Sequence, residues 1–120
     1  MQPPILPNHP PRPLPSAETL QEAVLRVIDN EDGWPATRFE AATDRGQAPD
    51  LVRIIRNLIM DAATVEFRER ELRQFPYLLT IEDYVWRSGS QWGFDARTIR
   101  EARAHSDFYD QIAGSRYADR

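Results

Sequence analysis

Apolar side chains recur along this chain at intervals of three and four, the spacing of one helix face, and no five-residue run alternates as a half-buried strand does. Leu20, Val24, Val27 and Ile28 set the first stripe. Ser16 stands ahead of it as the expected N-cap, with Glu18 in the first turn, and the turn formers from Asn30 to Gly33 predict its end. Trp34-Pro35 leads into a short predicted helix over Ala36 to Thr43, with Pro35 as its first residue. Asp44 to Ala48, which contains Gly46, reads as a loop.

The strongest stripe begins after Pro49-Asp50: Leu51, Ile55, Leu58, Ala62, Val65 and Leu72, widened by Ile54, Ile59 and Phe67. It predicts one helix from Pro49 to about Gln74, bent near Thr64, with its first half buried at the centre of a bundle. From Glu66 to Arg73 the signs alternate, and Glu66 with Arg70 and Glu69 with Arg73 fall at favourable i,i+4 spacing, so this stretch reads as an exposed helix end. Phe75-Pro76 stops the helix, because proline drives the residue before it out of the α region. After an extended Tyr77 to Leu79, Thr80 and Asp83 make a capping-box start for a short helix that Gly89 closes. Ser88 to Phe94 is a Gly/Ser loop carrying Trp92; Asp95 then caps a helix through Ala96, Ile99 and Ala102, and a last turn runs from Phe108 to Ala113. The tail after Gly114 is expected to fray. The predicted fold is therefore all-α, a small helical bundle of about four to five helices around one long central helix. Three segments organise the chain: an extended proline-rich arm over 1–15, a helical body over 16–114 and the tail over 115–120.

Most of the ten prolines lie in the arm, MQPPILPNHPPRPLP, which excludes helix and central strand there. Pro4, Pro7, Pro10 and Pro13 share one edge of a polyproline II helix, whose fully extended reach would be roughly 45 Å. Arg12-Pro13-Leu14-Pro15 resembles the first half of an arginine-led SH3 ligand, but Glu18 stands where the next proline belongs. Two readings remain open: a solubilising leader, or a docking arm that offers Ile5, Leu6 and Leu14 to a partner at low ordering cost.

The 120 residues suffice for one modest core. A net charge of −4 argues against a general polyanion binder, and the absence of cysteine removes disulfide and thiolate chemistry. No apolar run reaches membrane-spanning length and no charged-then-apolar leader opens the chain, so it reads as a soluble, cytoplasmic protein without a membrane partner. All fifteen basic residues are arginine, which excludes lysine chemistry and reads as codon bias or as selection for planar, bidentate ion pairs.

Assembled chemistry is scarce. His9 and His105 have no second histidine at ligand spacing, so no metal and no cofactor is expected, and His105 reads as a lone surface histidine. Asp29 to Asp32 followed by Gly33 does not make a calcium loop, since Ile28 and Phe39 would occupy its first and twelfth positions. The five glycines form neither a phosphate loop nor a dinucleotide fingerprint. Asp61, set in the most apolar part of the long stripe, is expected half-buried and paired to an arginine; a carboxylate-dependent small enzyme or enzyme subunit centred on it is one functional alternative.

Half of the aromatic rings fall between Phe75 and Phe94. Core packing accounts for most of them, yet loop tryptophan beside arginine is also the composition of a binding hot spot. Trp86, Arg87, Trp92, Phe94 and Arg97, together with Ile5, Leu6 and Leu14 of the arm, are thus the candidate partner-binding residues. The resulting reading is a non-enzymatic accessory or adaptor protein bound to a larger protein partner. The region from Leu79 to Arg103 also resembles a helix-turn-helix, which would offer Arg97, Thr98, Arg100 and Arg103 to DNA. Its connection is longer than the usual turn, and the four arginines from Arg87 onward are offset by Asp95 and Glu101, so DNA binding stands second.

Overall fold

The structure is a computed structural model that describes residues 14–29, 36–76, 78–114 and 116–117. Six α-helices follow one another: α1 (Leu20–Asp29), α2 (Thr37–Thr43), α3 (Leu51–Met60), α4 (Ala62–Gln74), α5 (Ile81–Ser88) and α6 (Ala96–Ala113), with no strand element among the described residues. Most of the arm, including Ile5, Leu6 and His9, lies outside the described residues, as do the Asn30–Gly33 turn, Trp34-Pro35 and Tyr77.

The first stripe packs as its spacing predicts: Leu20, Ala23, Val24 and Val27 of α1 are buried. Its start falls three residues after the expected Ser16, because Thr19 Oγ1 accepts the Glu22 N–H at 3.1 Å and so does the capping. Helix α3 buries Leu51, Ile55 and Ile59 on the same core, which Leu79, Ile81, Tyr84 and Val85 close from the α5 side. A second cluster of Leu72, Leu78, Tyr109 and Ala113 joins α4 to α6.

The long central helix is two helices. The chain breaks at Asp61, not near Thr64: Asp61 takes an extended backbone (φ −91°, ψ 118°), and its carboxylate accepts the Ala63 N–H. The apolar stripe runs on through this point, so periodicity does not reveal a side chain that competes for the backbone of the next turn. Conversely, the helix expected after Asp95 and the separate last turn from Phe108 to Ala113 are one continuous α6, and the Asp95 cap is as predicted, with Oδ1 accepting Thr98 N–H at 2.8 Å.

Between α2 and α3 the chain turns through a 3₁₀ segment, Asp44–Gly46. Gly46 (φ +84°) lies so close to α1 that a Cβ there would sit 3.4 Å from the Gln21 carbonyl oxygen. The loop after α5 is likewise a 3₁₀ turn, Gly89–Trp92. Trp92 is half-buried in it and donates from Nε1 to the Glu18 carbonyl at 3.2 Å, tying the turn to the approach to α1. Leu14, at the arm's end, packs against the main core.

Candidate functional site

The sequence marks Glu66 to Arg73 as exposed and the tail as frayed, and both expectations are corrected by burial. Arg68 and Glu71 are buried and joined at 2.7 Å, since i,i+3 spacing puts them on one face of α4. Of the tail, Arg116 and Tyr117 are buried, while 115 and 118–120 fall outside the described residues. Arg116 reaches Asp83 on α5 with both terminal nitrogens, Nη1 to Oδ2 at 2.9 Å and Nη2 to Oδ1 at 3.0 Å. It also donates to the Leu78 carbonyl and, from Nε, to Asp110.

Asp83 is the centre of this buried network. Its oxygens also accept from Ser106 Oγ (2.5 Å), Tyr117 Oη (2.8 Å) and, as the capping-box spacing predicts, from the Thr80 N–H (2.9 Å). Burial opposes its ionisation, but the Arg116 charge, Ser106 and Thr80 together outweigh burial and hold the carboxyl below its ordinary value. Arg116 is shifted the other way: burial works against its charge, and the Asp83 carboxylate raises it.

Next to it, Glu82 is 1% exposed and accepts from Tyr109 Oη at 2.8 Å, with His105 Nδ1 3.4 Å from the same oxygen. Burial again works against the charge, and His105, Arg68 and Tyr109 together bring the carboxyl below its usual value. His105 is therefore not a lone surface histidine. It is half-buried between Glu82 and Glu101, and the Glu82 carboxylate raises it above the ordinary imidazole range against the effect of burial. Among the described residues, no group of three or more His, Asp or Glu side chains could hold a metal ion.

Asp61 is exposed, not half-buried, because it is occupied in capping α4. It lines a cavity of about 220 Å³ together with Arg38, Phe67, Arg68 and Glu82.

The candidate partner-binding residues divide. Trp86 is half-buried against the core, with the Arg103 guanidinium 4.6 Å and the Arg87 guanidinium 5.6 Å from its ring centroid. Arg87, Arg97, Arg100 and Arg103 are exposed. Phe94 is 5% exposed and belongs to the core, so its ring offers nothing to a partner. Thr98 lies on the buried face of α6, where it cannot reach a nucleic-acid base; only the three arginines of that set face solvent.

No family model, curated protein or solved structure matches this chain. Its chemistry is therefore read from its own geometry. No helix among the described residues is long and apolar enough to cross a membrane.

The sequence reading missed the Asp83–Arg116 pair and the Glu82–His105–Tyr109 group entirely. One signal was present: Glu82 and Asp83 sit between the apolar Ile81 and Val85 on a short helix, where flanking burial implies that both carboxylates need partners.

Proposed function

We propose that this protein acts by contact, as a non-enzymatic accessory or adaptor that binds an acidic segment of a larger protein partner on its α5–α6 face. The observation that carries this reading is the stack of Arg87 and Arg103 about Trp86. A half-buried indole flanked by two exposed guanidinium groups supplies a rigid apolar anchor with planar donors beside it, the composition of an interface hot spot. Neither arginine pairs with a carboxylate among the described residues, so both are available to one from outside. Arg100 adds a further exposed positive charge on α6. Asp83 favours this reading over catalysis, since its oxygens are taken up by Arg116, Ser106, Tyr117 and the Thr80 N–H.

The test is cross-linking affinity purification with the full chain beside the Arg87→Glu/Arg103→Glu variant. The expected outcome is a partner recovered by the parent chain through an acidic segment and lost by the variant at unchanged melting temperature. Equal recovery by both proteins would refute the reading. A truncation that removes residues 1–13 assigns the arm its share: reduced recovery makes it a second contact.

A further inference from the structure

We propose, resting on the contact reading above, that His105 is a proton-operated clasp on that site: protonated, it holds Glu101 away from the α6 arginines, and deprotonated, it lets Glu101 turn back onto Arg97, so that the face releases an acidic partner. The imidazole stands between two carboxylates, with Nδ1 3.4 Å from Glu82 Oε2 and Nε2 3.4 Å from Glu101 Oε2. Only the imidazolium carries an N–H on each nitrogen, so only the charged form faces both acids favourably. Neutral imidazole keeps a single N–H. Glu82, whose side chain is 1% exposed, is sealed from solvent and retains it; Glu101, 46% exposed, reaches solvent and leaves.

Where Glu101 goes follows from helix spacing. It lies one turn after Arg97 and one turn before His105, so the same carboxylate meets either of them at i,i+4. Arg97 is exposed, and its other acidic neighbour, Asp95, is committed to capping Thr98 and to Arg56 at 3.7 Å. The remaining charged groups around the imidazole are already engaged. Tyr109 donates to Glu82, Arg68 and Glu71 of α4 pair with each other, and Asp83 of α5 is held by Arg116. Glu101 is therefore the group that a proton on His105 moves. The Glu82 carboxylate raises His105 above its ordinary value of 6.5, which places the change on the alkaline side of that pH. Across it, the exposed face that carries Arg97, Arg100 and Arg103 loses one positive charge, and an acid of the chain itself competes for Arg97.

Two measurements test the clasp separately from the contact reading. In the free full-length chain, the Arg97 Nε nitrogen shift is expected to move with the same midpoint as the His105 imidazole between about pH 6 and pH 9, and to stay in place in His105→Gln. Binding of a rhodamine-labelled hexaglutamate peptide at constant ionic strength is then expected to weaken about threefold over that range, the scale of one exposed ion pair. Glu101→Gln is expected to keep the tight value throughout and His105→Gln the weak one, both with the parent's circular dichroism spectrum. An Arg97 shift that ignores the His105 titration overturns the clasp and leaves the contact reading standing. So does pH-independent binding by the parent, or a full pH response in Glu101→Gln. Peptide binding that survives Arg87→Glu/Arg103→Glu unchanged, or is absent from the parent at every pH, refutes the contact reading, and the clasp's hold on a partner falls with it.

Discussion

Arg116 holds Asp83 through two parallel hydrogen bonds of 2.9 and 3.0 Å, and with them fastens the end of the described chain to the first turn of α5. The pair is buried on both sides, with side-chain exposures of 0% and 1%. Such a contact differs from the surface pairs Arg53–Asp50 and Arg73–Glu69, which solvent screens to a small contribution.

Removing one partner leaves the other charged in the core without its counter-ion. Arg116→Ala is therefore expected to cost about 3–5 kcal/mol, read from urea unfolding monitored by circular dichroism. Combining it with Asp83→Leu is expected to cost less than the two single changes together, with a coupling of about 1–3 kcal/mol. Strict additivity would mean that the two residues do not interact in solution.

The pH profile carries the opposite signs of two shifts. His105 is raised in the fold, so its contribution is complete below the unfolded imidazole value of about 6.5 and is lost as pH rises through the higher folded value. Glu82 and Asp83 are lowered, so their contributions are complete above their ordinary values of 4.5 and 3.8 and are lost as pH falls through the folded ones. Stability should thus peak at roughly pH 5–6.5 and decline on both sides. In His105→Gln the decline on the alkaline side should disappear while the acid limb remains, as unfolding free energies between about pH 2 and pH 9 would reveal.

Asp61 is a cap, and its substitutions should behave accordingly. Asp61→Ala is expected to lose about 1 kcal/mol, whereas Asp61→Asn, which keeps an acceptor oxygen, should stay within a few tenths of the parent. A loss with asparagine as large as that with alanine would point to a role for the negative charge itself.

Gly89 sits where α5 and α6 approach one another. A Cβ there would stand 3.1 Å from Val85 Cγ1, 3.2 Å from Ile99 Cγ1 and 3.4 Å from Phe94 Cβ. Gly89→Ala should lower stability by about 1 kcal/mol, the crowding outweighing the entropy that alanine saves in the unfolded chain. A raised melting temperature would show that Val85 and Ile99 shift without cost.

The helical class was legible because it rests on local signals that tertiary packing reinforced. The α1 stripe, the Asp95 cap and the Thr80–Asp83 start of α5 all follow from spacings within four residues. What escaped was relational. Arg116 lies 33 residues from Asp83, and nothing in its flanking sequence distinguishes it from any other arginine. The same limit applies to Trp86: its rank above Trp92 as a candidate anchor depends on Arg103, which lies a helix away. Phe94 and Thr98 show the converse error, since loop position and side-chain chemistry suggested contact while the fold buries them both. The break at Asp61 was hidden by its own surroundings, an apolar stripe that continues on either side of a capping carboxylate.

That break has a consequence for self-association. Leu51 to Gln74 has the makings of one uninterrupted rod, and a single carboxylate diverts it into two. If the diversion fails, everything after α3 is carried away from its own α1 and toward the complementary half of another copy, an exchange that restores the contacts of α1 with α5 at the cost of those between α3 and α4. Residue 61 thus keeps α1 and α5 in contact within one chain.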